Sequence, residues 1–301
     1  MTKGWHALGS RVKSHELERT LMNFTTLLSA ADLAQHLGNA QLVIFDCRHD
    51  LMNPGAGSRA YAEGHIPGAR FADTDADLAG PKNGRNGRHP LPDAQTFMQW
   101  LGGNGVDSSK QVVSYDNVGS SSAARLWWML KWLGHERVAV LDGGWEAWIK
   151  AGQPVSAATS PVPPARFAGA PRSTWVGVED VMRNLQSKEF VVIDARASDR
   201  YQGFTEPIDP VAGHIPGARN RLYKDNLLPD GRYKPAEQLC QEFTALFGGL
   251  TPERIVHQCG SGVSACHNLL AMEIAGLSGS RLYPGSWSEW VADPARPVAK
   301  G

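Results

Sequence analysis

The residues best placed to do chemistry lie in one loop, Cys259-Gly260-Ser261-Gly262-Val263-Ser264-Ala265, between the β-branched run Arg254–Gln258 and a helical pattern over Val263–Ala275. Glycines at such a turn let the backbone fold tightly enough to aim N–H groups at one point, and the following helix adds its positive end. A thiol there is favoured as the thiolate, which is the nucleophilic form. Cys47, Cys240 and Cys266 have no such turn and read as small buried core residues. A cysteine ahead of a helix serves phosphoryl transfer or sulfur transfer. The phosphatase form needs an arginine six positions on to grip phosphate, and this chain has Ala265 there. A phosphatase would lack its charge clamp, which disfavours that chemistry.

The elements that must hold this loop are visible as an internal repeat. Gly64-His65-Ile66-Pro67-Gly68-Ala69-Arg70 recurs letter for letter as Gly213-His214-Ile215-Pro216-Gly217-Ala218-Arg219. An apolar run ending in an acid precedes each copy, Leu42–Asp46 and Val191–Asp194, and a glycine turn with tryptophan follows, at Trp145 and Trp287. Asp46 and Asp194, Gly64 and Gly213, and Trp145 and Trp287 lie 148, 149 and 142 residues apart. The chain is a duplication, which decides its architecture. Within each half, apolar strands alternate with helical patterns: Val112–Tyr115, then Ala123–Leu133, then Val138–Leu141. The alternation predicts an α/β fold of two tandem domains, each a parallel β-sheet flanked by helices. Sites form at the carboxyl ends of such strands, where Asp46, Asp116, Asp194 and Cys259 fall.

Prolines 154, 161, 163, 164 and 171 mark a semi-extended linker. The expected division is an N-terminal extension over 1–23, disordered or set by start-codon choice, a first domain over 24–151, the linker over 152–172, and a second domain over 173–301. The 301 residues are ample for two cores. Thirty basic and thirty acidic residues balance, which argues against a nucleic-acid binder. The apolar runs are far short of the ~18 residues of a membrane span. Four cysteines are too few and too irregularly spaced for a disulfide scaffold, the lack of a CxxC pair argues against a structural zinc site, and both point to a reducing, cytoplasmic compartment.

The loop CGSGVSA, the paired HIPGAR segments and the late Gly285-Ser286-Trp287 resemble the tandem rhodanese-domain sulfurtransferases over nearly the whole chain from Phe24. The loop is most similar to that of the 3-mercaptopyruvate sulfurtransferases, usually CGSGVTA, with Ser264 keeping the hydroxyl. Thiosulfate-preferring relatives carry basic residues after the cysteine, which suits a dianion. Here those positions are the neutral Gly260 and Ser261. The resemblance implies a Cys259 persulfide that takes sulfur from 3-mercaptopyruvate and passes it to a thiol acceptor, such as thioredoxin, or to cyanide, with no metal or organic cofactor. It implies that Gly260, Gly262, Val263 and Ser264 bind the donor. Asp116 is the first-half counterpart of Cys259 and cannot carry a persulfide, so the first half becomes a non-catalytic scaffold.

Further roles follow from the same resemblance. Ser261, His89 (opening His89-Pro90-Leu91-Pro92) and Asp75 match a Ser–His–Asp relay, with Asp73 and Asp77 as close competitors for the acid. Arg200 matches the substrate clamp, whose planar fork suits a carboxylate. Where the mercaptopyruvate enzymes often place a second arginine, this chain has Asp209, with Arg196 and Arg219 as candidates to compensate. That departure keeps a thiosulfate:cyanide sulfurtransferase as the alternative within the class. A non-catalytic rhodanese-type binding module is the alternative outside it, and the intact cysteine loop speaks against it. The remaining motifs read as structural. Asp46 and Asp194 are expected to anchor the HIPGA loops, and His65 and His214 to satisfy backbone groups. Trp127, Trp128 and Trp132 are expected to pack in the core, and Trp287 to line the cleft.

Overall fold

A computed structural model of the chain describes residues 22–117, 119–159 and 161–301; the extension expected over 1–23 lies outside them up to residue 21, while Met22 is buried and Asn23 is described. The first half runs β1 (Leu27–Leu28), α1 (Ala30–His36), β2 (Leu42–Asp46), α2 (Ala56–Glu63), β3 (Arg70–Phe71), α3 (Ala94–Gly103), β4 (Gln111–Tyr115), α4 (Ser121–Trp132), β5 (Val138–Leu141) and α5 (Gly144–Lys150). The second runs α6 (Val178–Ser187), β6 (Val191–Asp194), α7 (Ser198–Gln202), β7 (Arg219–Asn220), α8 (Ala236–Phe247), β8 (Ile255–Gln258), α9 (Ser264–Ile274), β9 (Arg281–Leu282) and α10 (Ser286–Trp290). No helix among the described residues is long and apolar enough to cross a membrane.

Both sheets are parallel, in the orders β1-β5-β4-β2-β3 and β7-β6-β8-β9. They superpose in register logic: β2 lies between β4 and β3 as β6 lies between β8 and β7. The counterpart of β1 shrinks to a single bridge, Trp175 on Leu282. Inner strands are buried on both faces, which is why they read as unbroken apolar runs. Helix α4 follows β4 and α9 follows β8. The two helices pack against each other, so one apolar core runs through both halves. Trp127, Trp128 and Trp132 sit buried in that core as expected.

The proline-rich segment after α5 is not a free tether. Ser156 pairs with His65, and Ala165, Ala170 and Arg172 donate backbone N–H groups to the carbonyls of Gly102, Leu133 and Trp132. Prolines suit this path because they bring no N–H that would need a partner. At the other end of the first half, buried Met22 accepts from the Arg137 guanidinium at its carbonyl.

The repeat is also built twice in side chains. Asp46 grips Arg48 at 2.6 Å, and the Arg48 guanidinium donates to the Gly64 carbonyl and lies 4.4 Å over Trp145. Asp194 grips Arg196 at 2.6 Å, and Arg196 donates to the Gly213 carbonyl and lies 4.5 Å over Trp287. The aspartates therefore hold the HIPGA loops through an arginine rather than directly. Trp287 is correspondingly fully buried behind Arg196 and does not line the cleft. His65 and His214 each place Nδ1 at 2.8 Å from a backbone carbonyl, that of Tyr61 and that of Tyr201, as expected. Cys47 and Cys266 are buried, whereas Cys240 on α8 is only partly so, because its helix face borders solvent.

Removing one partner of a buried ion pair strands the other, at a cost of about 3–5 kcal/mol. Asp46→Ala strands Arg48 and also orphans the Tyr115 hydroxyl that donates to Asp46 at 2.7 Å. Asp194→Ala leaves Arg196 with Glu206 at 3.3 Å. Urea unfolding is expected to show the larger loss for Asp46→Ala. Equal or reversed losses would show that the two anchors are not graded by their back-up partners.

Candidate active site

The two sheets present their carboxyl edges to one cleft of about 660 Å³. Cys259, immediately after β8, lies at its floor and is 2 % exposed. The Gly262 N–H donates to the Cys259 sulfur at 3.1 Å, the one such N–H among the described contacts, where the sequence led us to expect several. Gly262 has φ +77°, and a Cβ there would press into the Pro284 carbonyl, so only glycine closes this turn. The loop is tied down on its far side. The Cys259 N–H donates to Ser286 Oγ, and the Cys259 and Gly260 carbonyls accept from the N–H groups of Trp287 and Ser288.

The first half supplies what the second lacks. His89 Nδ1 lies 2.7 Å from Ser261 Oγ, and His89 Nε2 lies 3.1 Å from Asp75 Oδ1. The sequence left three aspartates in contention, and the turn selects among them. Asp73 Oδ1 accepts the Asp75 N–H, Asp77 Oδ2 accepts the Asp73 N–H, and Asp75 is left to face His89. Lys82 bonds the same Asp75 oxygen at 3.0 Å. Burial works against the Asp75 charge, but the Lys82 hydrogen bond and the neighbouring His89, Lys82 and His49 hold its carboxyl below the usual range. Burial is also the main force on His89 and pulls it down to about 4, against the attraction of Asp75. The imidazole is therefore neutral at neutral pH and can accept from Ser261 while donating to Asp75.

Two guanidinium groups converge on the same floor. Arg200 donates Nε and Nη2 to Glu206 and Nη2 to Asp209 at 3.2 Å, which fixes the fork with Nη1 to spare. Asp209, where sequence reasoning missed a second arginine, is itself the holder of one: Arg88 Nη1 forms an ion pair with it. Neither sequence candidate fills that place. Arg196 is spent on Asp194, Glu206 and Gly213, and Arg219 is exposed with its guanidinium on the Leu246 carbonyl. Arg88 was not singled out, yet its signal was present in Gly260. A Cβ at Gly260 would stand 2.7 Å from Arg88 Nη2, with the Arg200 nitrogens at 3.8 and 3.9 Å. A side chain at position 260 would have to displace this guanidinium, which reaches over from the other half.

Val263 and Ser264 line the cleft beside Gly260 and Ser261, as Tyr223, Lys224 and Asn117 do; Gly262 lies beneath the thiol instead. Asp116, at the matching place in the first half, accepts the N–H groups of Ser120 and Ala123 at 2.8 and 2.9 Å. Its carboxylate occupies the position that a nucleophile would need.

The chain matches the Rhodanese-like domain family over residues 29–151 and again over 177–293. It is 47% identical over 283 residues to a probable 3-mercaptopyruvate sulfurtransferase of Pseudomonas aeruginosa, covering 93% of this chain and 100% of that one. It is 38% identical over 254 residues to a thiosulfate sulfurtransferase of Cricetulus griseus, covering 81% and 83%. Among solved structures, a 3-mercaptopyruvate sulfurtransferase from Leishmania major aligns with a TM-score of 0.80 at 30% identity, over 91% of this chain and 75% of that one.

The depressed His89 value sets a testable pH window. An ordinary histidine, near 6.5, takes its proton in the unfolded chain well before His89 does at about 4 in the fold. Stability from this group is therefore full above pH 6.5 and is lost as pH falls from there through 4. The ring should still be neutral at pH 6. Nitrogen NMR of ¹⁵N-histidine protein is expected to place the His89 midpoint near pH 4, and a midpoint near 6.5 would remove the neutral-relay reading.

Proposed function

The chain belongs to the rhodanese-like sulfurtransferases, with two copies of the domain in tandem, and we propose that it is a 3-mercaptopyruvate sulfurtransferase working through a Cys259 persulfide. The observation that carries the donor assignment is the hydrogen-bonded chain Asp75–His89–Ser261, ending two residues from the nucleophile. Thiosulfate has no need of it, because its leaving group, sulfite, is already a stable anion. Mercaptopyruvate does need it. The thiolate attacks the donor's sulfur, an S–S bond forms, the C–S bond breaks, and the electron pair leaves on carbon as the enolate of pyruvate. The proton on the donor's thiol is the one that this carbon must receive, and Ser261, with neutral His89 behind it, is the route we assign.

Arg200 and Arg88 take the donor's carboxylate between them, Arg200 as the clamp and Arg88 in place of the missing second arginine. The first half then contributes binding and proton transfer, while the second contributes the nucleophile. The residues 24–151 and 173–301 are the two domains of this division, joined by 152–172. A thiol acceptor such as thioredoxin, or cyanide, removes the outer sulfur, and we place the reaction in the cytoplasm. Thiosulfate is the second donor we keep in view, because the Arg88 and Arg200 cations also suit it.

Intact mass after incubation with mercaptopyruvate is expected to rise by one sulfur atom, and Cys259→Ser is expected to abolish both the adduct and turnover. Substantial activity in Cys259→Ser would assign the wrong thiol. Ser261→Ala and His89→Ala should cut mercaptopyruvate turnover by roughly 10²–10⁴, the usual worth of general acid–base help, and thiosulfate turnover far less. Equal losses for both donors would reduce Ser261 to a loop-shaping residue.

Arg88→Ala removes a charge-assisted contact of about 1.5–3 kcal/mol. It should raise KM for mercaptopyruvate by about 10- to 100-fold with a smaller change in kcat. An unchanged KM would return Arg88 to a purely structural role.

A further inference from the structure

Beside the relay stands a histidine that the proposed reaction does not use. His49 follows β2, lines the cleft, and buries its Nε2 without a hydrogen-bond partner among the described residues. Its Nδ1 lies 3.9 Å from Asp75 Oδ2, and its ring meets that of His89 edge-on, with centroids 6.2 Å apart. Asp75 thus has a histidine beside each oxygen, His89 at 3.1 Å from Oδ1 and His49 beside Oδ2. The duplicated half shows that the fold itself does not ask for these side chains. Ala197 stands three residues after Asp194 as His49 stands three after Asp46, and Lys224 stands five after Arg219 as Asp75 stands five after Arg70.

One ligand atom from each of His49, Asp75 and His89 lies within 4.8 Å of the other two, close enough to share one ion. Two imidazoles and a carboxylate are a donor set that zinc takes readily, and three protein ligands leave its fourth tetrahedral position open. We propose that His49, Asp75 and His89 form an inhibitory binding site for a zinc ion, which takes the relay out of use while it is bound. The site is within reach of solvent, since the Asp75 side chain is 40 % exposed and both histidines line the cleft. It already accepts a positive charge, because the Lys82 ammonium bonds Asp75 Oδ1 at 3.0 Å. Lys82 is itself half-exposed, so it competes with the ion for that oxygen rather than sealing the site.

The inhibition follows from where one proton must go. In the relay the His89 proton sits on Nε2 toward Asp75, and Nδ1 accepts from Ser261. A zinc ion on Nε2 needs the lone pair that this proton occupies, so the proton passes through solvent to Nδ1 and the ring keeps its single proton. Nδ1–H then donates to Ser261 Oγ, and the Ser261 hydroxyl loses the base that would take its proton. Nothing is oxidised or reduced. Cys259 is not among the ligands, so the loaded enzyme keeps its nucleophile, and a donor that needs no proton transfer can still be used. The site rests on geometry alone, and only its effect on turnover rests on the relay reading.

The test is calorimetric titration of zinc chloride into the full chain, in the Cys259→Ser form so that the reactive thiol cannot take the ion. Binding is expected to weaken by at least about tenfold in His49→Gln, since metal sites lose that much even when a group outside the ligand set is removed. Lys82→Met removes the competitor and should tighten the same site. An affinity unchanged by either substitution, or no binding at all, overturns the proposal. The effect on the reaction is read in the enzyme with Cys259 intact and no acceptor present, as persulfide formed in a single turnover and weighed by intact mass. Zinc should slow formation from mercaptopyruvate by roughly the 10²–10⁴ of general acid–base help and leave formation from thiosulfate little changed, and His49→Gln should relieve that inhibition. Equal inhibition with both donors places the ion on Cys259 and overturns the proposal. Binding through His49 that slows neither donor overturns the inhibitory role through failure of the relay reading, whereas binding that ignores His49 overturns the site and leaves that reading intact.

Discussion

Helices α4 and α9 cannot face water, and the rest of the molecule is arranged around that fact. Every residue of α4 except Lys131 is buried, and α9 is buried from Ala265 through Met272. Helices buried on nearly every side must be enclosed on nearly every side, and one sheet can cover only one face of each. The helices therefore cover each other. Each begins just past the carboxyl end of an inner strand, so packing α4 on α9 brings the two strand ends, and the loops that follow them, to face across one cleft. The site between the domains is a consequence of how their core is closed.

Duplication gave two such strand ends, and the halves diverged at the loop while keeping its frame. The Asp–Arg–Trp stacks behind the loops repeat the same contacts, with Arg48 over Trp145 and Arg196 over Trp287. In front of them, Asp116 accepts two helix-end N–H groups and satisfies them with its own carboxylate. Cys259 accepts from one N–H, at Gly262, and faces the cleft. A carboxylate closes the turn as a cap, whereas a thiol leaves it open to a donor. With its own turn capped, the first half was free to contribute side chains to the other one. Arg88 reaches Asp209, His89 reaches Ser261 and Arg125 reaches Gly262.

What the sequence made legible and what it hid divide along the same line. The repeat, the parallel sheets and the Cys259 loop were readable because each rests on local pattern: alternation of apolar runs, letter-for-letter recurrence, glycines at a turn. The contributions across the cleft were not readable in that way. Arg88 stands in Asn86-Gly87-Arg88, a polar stretch like any surface loop, and its contacts across the cleft, the ion pair with Asp209 and the N–H bond to Ser288 Oγ, give it a place. Asp73, Asp75 and Asp77 are alike by type and are told apart by which backbone groups they bond. Arg125 is the exception that could have been noticed, since a charged residue amid Ala123-Ala124 and Leu126-Trp127-Trp128 breaks an otherwise apolar helix.

The charges around the cleft also bear on which sulfur donor fits. Arg88, Arg196 and Arg200 face Asp194, Glu206 and Asp209, so the clamp region carries three positive and three negative groups. Such a region has little net field with which to reward a second negative charge on the ligand. What it offers is direction, with N–H groups of Arg200 and Arg88 aimed past Gly260 and held there by the acids behind them. Direction suits one planar carboxylate better than a compact dianion. In the proposed clamp Asp209 is therefore less a defect than a holder, since it positions Arg88 while offsetting its charge.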